Sequence, residues 1–77
     1  MRWKLQPKLE YLTNVLLRII RRENLNIVGK KELLKMVNNE VSSKYWLRIR
    51  QLRYVIGNQK EYKFNNKKGE TYEIKQK

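Results

Sequence analysis

Between Ser42 and Tyr54 the chain reads SSKYWLRIRQLRY, and this stretch carries the side chains best suited to gripping a partner. Lys44, Arg48, Arg50 and Arg53 are four cations, and no acid occurs from Lys44 to Lys60. Placed on a helix at about 100° per residue, Tyr45, Ile49, Leu52 and Ile56 share one apolar stripe. Ser43, Lys44, Leu47, Arg50, Gln51 and Tyr54 fall opposite. Such a face suits the major groove of duplex DNA. Arg and Gln offer paired hydrogen-bonding atoms to base edges, while Lys and Ser hold phosphate oxygens. Leu47 can pack on a thymine methyl and Tyr54 can bond a phosphate. The same two side chains can instead pack against a second protein chain.

A second cluster follows in Lys63, Asn65, Asn66, Lys67 and Lys68. The period changes to two there: Tyr62 and Phe64 alternate with Glu61 and Lys63, and Tyr72 and Ile74 with Thr71, Glu73 and Lys75. Two such runs joined by NNKKG read as a β-hairpin, with Tyr62 and Tyr72 as cross-strand partners on its inner face. Lys67 and Lys68 at the tip can track phosphates or the minor groove. The plainer reading is a polar turn, since Asn, Lys and Gly are common in any hairpin loop. Trp3 and Trp46 can stack on bases, but closing the core is their simpler role. Arg18, Arg21 and Arg22 can reach DNA or merely solvate the first helix, and solvation is the expectation for Arg21.

The 77 residues hold 19 Lys+Arg against 7 Asp+Glu, a net charge of +12 with a pI near 10.2. Self-repulsion at that charge opposes compaction, so the charge points to an anionic partner, nucleic acid or a membrane surface. No apolar run approaches the ~20 residues that span a bilayer, so no membrane partner is expected. The N-terminus lacks the apolar segment of a secretory signal. Cysteine, histidine and aspartate are all absent. That excludes disulfides, thiolate and imidazole metal ligands, a Ser–His pair and a thiol nucleophile. Glu70 and Glu73 lie in or beside an exposed hairpin, not a pocket, and there is no Gly-rich phosphate loop. Neither enzymatic activity nor a cofactor nor a metal is expected.

The elements that must position these residues form one domain over 1–77. A basic arm at 1–6 precedes a helix at 7–23, with Pro7 in the first turn, where its missing N–H costs nothing. Leu9, Leu12, Leu16, Ile19 and Ile20 form its apolar face. A turn into a very short strand is expected over 24–28. Gly29 precedes a second helix at 30–38, with Leu33, Met36 and Val37 inward and Leu34 at the edge. Asn38, Asn39 and Glu40 then read as a tight polar break, with Val41 in the turn. Ser42 or Ser43 caps a third helix ending near Gly57, a residue able to adopt a left-handed cap. Tyr45, Leu47 and Ile49 also alternate as in a strand, but the register slips before Leu52 and the helical stripe holds longer. The hairpin occupies 60–75.

This order of elements resembles the winged helix-turn-helix superfamily of DNA-binding domains. The resemblance rests on GKKELLKMVNNEVSSKYWLRIRQLRYVIG at 29–57 and on the hairpin at 60–75. Members have an apolar residue in the turn, here Val41, then Ser or Thr opening the recognition helix, here Ser42 or Ser43. An apolar pair, here Ile49 and Leu52, packs on the core, and a glycine, here Gly57, introduces the wing. The resemblance implies an α+β domain with a three-helix core at 7–57 and a hairpin wing. It implies double-stranded DNA as partner, with Ser43, Lys44, Leu47, Arg48, Arg50, Gln51, Arg53 and Tyr54 on the recognition helix and Lys63, Asn65, Asn66, Lys67 and Lys68 on the wing. The expected role is a small transcription regulator or architectural protein, cytoplasmic and associated with the nucleoid, with a homodimer as a further expectation. Two other readings stand beside it: an RNA-binding or ribosome-associated basic protein, and a protein adaptor using Leu47 and Tyr54.

Overall fold

The computed structural model describes residues 6–77, with side chains from residue 8 onward. Trp3 and residues 1–5 of the expected arm lie outside the described residues, and Gln6, the last residue of that arm, is helical. Helix α1 (Gln6–Glu23) starts at Gln6, one residue before Pro7. It buries Leu12, Val15, Leu16, Ile19 and Ile20 at helical spacing. Asn24, at φ 52, closes it in the left-handed conformation. The Leu25 N–H bonds the Ile20 carbonyl at 3.1 Å and the Asn24 N–H bonds that of Arg21 at 3.4 Å, the two bonds of a Schellman cap. Asn is one of the few non-glycine residues that adopts this conformation at low cost. Leu25 then packs against the core as the chain enters β1 (Ile27–Gly29).

Helix α2 (Lys30–Glu40) buries Leu33 and Val37. It runs through Asn38, Asn39 and Glu40, so the expected polar break is helical instead. The helix stops at Val41, which is extended (φ −124, ψ 160) and buried. Here the chain departs most from expectation. Ser43–Tyr45 form only a short 3-10 turn, 46–48 are non-helical, and α3 runs from Ile49 to Asn58. The side chain of Asn38 bonds the main chain of Leu47 and holds it out of a helix, which outweighs the local helical pattern. The bulky run Tyr45–Trp46–Leu47 also has only modest helix propensity. Within this run the strand-like alternation is locally right: Tyr45 packs on the core, Trp46 is exposed and Leu47 is buried.

In α3, Leu52 and Val55 are buried and Ile56 is half-buried. Gly57 does not cap the helix. It lies inside it, and the chain leaves through Gln59 with ordinary φ −81 and ψ 152. Gln59 is itself buried. Its Oε1 accepts the N–H groups of Glu61 at 3.0 Å and Tyr62 at 2.8 Å, and its Nε2 donates to the Tyr62 carbonyl at 2.7 Å. One side chain therefore fixes the hinge between α3 and the sheet.

β2 (Tyr62–Lys67) and β3 (Thr71–Gln76) form the hairpin. β1 adds to the other edge of β3, giving an antiparallel sheet in the order β1-β3-β2. The register pairs Phe64 with Ile74, Asn66 with Tyr72 and Tyr62 with Gln76. Tyr62 and Tyr72 are therefore not partners. Tyr72 meets the edge of Phe64 instead, with centroids 5.5 Å apart and planes at 83°. Asn65 and Asn66 are strand residues, and the turn spans Lys68 to Glu70. Lys68 and Gly69 both have positive φ, 56 and 74, as a type I′ turn requires. The result is a small α+β domain: three helices and a C-terminal hairpin wing.

Candidate nucleic-acid interface

Burial of Leu52 and Val55 turns the opposite side of α3 outward. Arg50, Arg53 and Tyr54 lie on that side, and all three are exposed, Tyr54 at 45%. Ile49 joins them at 40% exposure, although the helical stripe had placed it inward. Arg48 is exposed at the N-cap. Gln51 is half-buried, and its Oε1 accepts the Arg48 N–H at 2.9 Å. That oxygen closes the first turn of the helix and does not face a groove.

The remaining residues expected on this helix lie before it. Ser43 and Lys44 are exposed in the 3-10 turn, and the Lys44 ammonium sits 5.5 Å from the Tyr45 ring centroid. Leu47 is only 5% exposed. It is a core residue, able to touch neither a thymine methyl nor a partner chain, because its clamped backbone aims it inward. Trp46, expected in the core, is instead 58% exposed.

The wing meets the helices at a cleft of about 620 Å³. Ile49 and Arg53 of α3 form one wall, Lys30 and Lys31 of α2 a second, and Gly69 and Thr71 of the wing a third. Glu32 and Glu70 also line it. The Lys30 N–H bonds the Glu70 carbonyl at 2.9 Å, and Gly29 pairs with Thr71, so the wing turn is tied to the start of α2. Of the expected wing residues, Lys68 sits at the tip and is exposed. Lys67 is exposed and 3.6 Å from a carboxylate oxygen of Glu73. Lys63 and Asn65 lie on the outer sheet face with Lys75 and Glu73, whereas Asn66 shares the face of Tyr72. Lys30 and Lys31 carry no signal of this cleft in the sequence, and Ile49 is read there as a core residue. The approach of the two lysines to the wing depends on β1 pairing with β3, which no local pattern announces.

The ion pairs divide the surface. Arg21 pairs with Glu61, and Arg22 with Glu23 at 3.1 Å and Glu40 at 2.9 Å. Arg21 is thus not merely solvated. Hydrogen bonding to these carboxylates raises the pKa of both arginines, and Arg22 holds the Glu40 carboxyl below its ordinary value. Arg48, Arg50 and Arg53 make no ion pair among the described residues. Among the same residues no group of three or more His, Cys, Asp or Glu is gathered as a metal ion would need, and no helix is long and apolar enough to cross a membrane. Comparison with protein families, curated proteins and solved structures finds no match to this chain.

Proposed function

We propose that this domain binds duplex DNA, with the outer face of α3 in the major groove and the wing turn on the flanking backbone. The supporting observation is the division of charge. Carboxylates neutralise Arg21 and Arg22 on α1, while among the described residues Arg48, Arg50 and Arg53 make no ion pair, and Arg53 faces the wing across the cleft. A helix of ten residues is about 15 Å long, comparable with the roughly 12 Å width of the major groove. Arg50 is the residue best placed to read a base, since it lies near the centre of the outer face. Arg53, Lys31 and Lys68 are suited to phosphate.

The role is that of a regulator or architectural protein acting at its DNA, in the cytoplasm or nucleoid, by binding and not by catalysis. An adaptor built on Leu47 and Tyr54 loses its apolar pair, because Leu47 is buried. Selection of bound sequences from random duplex DNA tests the reading. Recovery of a shared base pattern is expected, and recovery of an unenriched pool from a protein that binds no duplex at low salt would count against it.

A further inference from the structure

Beside the cleft lies a second, shallower groove of about 320 Å³, which α3 does not border. It is walled by Lys31, Leu34, Lys35, Asn38 and Asn39 of α2 and by the indole of Trp46. Trp46 is the least expected feature of the surface: a tryptophan 58% exposed in a domain with a small core. Its ring is tethered at one edge. The Nε1–H bonds the Val41 carbonyl at 3.3 Å, and the clamp on Leu47 fixes the next residue of the backbone. Lys31 and Lys35 stand one helical turn apart, with about 5–6 Å between Cβ atoms at that spacing. No carboxylate is among the residues that wall the groove. Lys31 also lines the cleft, so the groove and the cleft form one continuous surface.

A fixed indole face flanked by cations is what a single nucleic-acid strand needs: a ring to stack on and charges to carry its phosphates. We infer that Trp46 is a stacking platform for an unpaired base, so that the protein prefers a duplex carrying a single-stranded tail. The tail leaves the duplex across Lys31 and places a base on Trp46, with Lys31 and Lys35 on its phosphates. The only charges on the rim are the two lysines, which disfavours a basic peptide as occupant and favours a polyanion that can stack.

The preference for a tail rests on the duplex-binding reading, and the test separates the two. Affinities are measured for a blunt duplex and for the same duplex with a thymidine tail on either end, using the full chain. A tail should tighten binding about tenfold, within the range that one stacked base contributes. Trp46→Ala should remove that gain while leaving blunt-duplex affinity within about twofold, and Trp46→Phe, which keeps a ring but loses the Nε1–H bond to Val41, should keep part of it. In a Trp3→Phe protein, where Trp46 is the sole tryptophan, the tailed duplex should quench fluorescence and the blunt duplex should not. No gain from the tail, or a gain that survives Trp46→Ala, overturns the inference with duplex binding intact. Loss of blunt-duplex binding in the unmodified protein would overturn the duplex reading instead, and saturable quenching by oligothymidylate alone would then still support Trp46 as a platform.

Discussion

The carboxamide of Asn38 holds both main-chain polar groups of Leu47: its Oδ1 accepts the N–H at 2.8 Å and its Nδ2 donates to the C=O at 3.1 Å. The last turn of α2 thereby decides where α3 begins. With Leu47 clamped and its side chain in the core, Arg48 becomes the N-cap and Gln51 closes the first turn. The clamp also sets the position of Trp46 beside α2.

Asn38→Ala leaves both groups of Leu47 without a protein partner in a half-buried site. The expected loss is about 2 kcal/mol, read from urea denaturation. A loss under about 0.5 kcal/mol would show that water replaces the clamp. Leu47→Ala should cost about 2–5 kcal/mol as a core truncation, without altering which bases are preferred. A change in base preference at unchanged stability would return Leu47 to the interface.

Gln51 distinguishes a cap from a reader. Gln51→Glu keeps an acceptor for the Arg48 N–H and adds a favourable negative charge at the helix start, so stability should hold or rise slightly. Gln51→Ala should cost about 0.5–1 kcal/mol in thermal unfolding and leave base preference unchanged. Loss of preference at one base pair in both variants would mean that the side chain turns to DNA on binding.

Arg50→Ala should cost about 1–3 kcal/mol at a preferred site and relax the choice of base there. Replacing Lys67 and Lys68 together by Ala should weaken all sequences alike and flatten the salt slope by about 1–2 units, with Lys67 contributing less because Glu73 already faces it. If the wing variant altered base preference while Arg50→Ala did not, the roles of helix and wing would be exchanged.

The acid limb of stability should report the Arg22–Glu40 pair. The hydrogen bond from Arg22 lowers the Glu40 pKa in the folded protein. That stabilisation is full above the unfolded value, near 4.5, and disappears as pH falls through the lower folded value. The difference in melting temperature between the unmodified protein and Glu40→Gln should therefore shrink as pH drops below about 4.5. A difference that is constant with pH would show that the pair adds nothing through its charge. DNA binding should be nearly flat between about pH 5.5 and 8, since with no His or Cys only the terminal amine ordinarily titrates there. A change beyond about tenfold at fixed ionic strength would contradict that.

The long stripes of α1 and α2 and the alternation of the hairpin were legible because each repeats over many residues. The start of α3 was not, since it is set by Asn38, nine positions before Leu47. The apolar stripe in the sequence takes its phase from Tyr45, and the break at 46–48 removes Tyr45 from the helix. The buried arc then centres on Leu52 and Val55, and Ile49 moves outward. Arg50 and Tyr54 keep their places because they lie opposite the new centre as well as the old, and the shift of the centre toward Val55 turns Arg53 outward with them. Lys30 and Lys31 stayed hidden because only the β1–β3 register brings α2 to the wing. Gln59 falls between the expected helix and hairpin, and its three hydrogen bonds are visible only in the fold.

The most direct test of the central claim is the salt dependence of binding to a generic blunt duplex. Neutralising about five phosphates with the α3 arginines and the lysines of α2 and the wing should give a slope of log K against log[salt] near −4 to −5. Strong duplex binding at low salt with that slope is the predicted result. A slope near zero, or no duplex binding at low salt, would contradict the assignment of this surface to DNA.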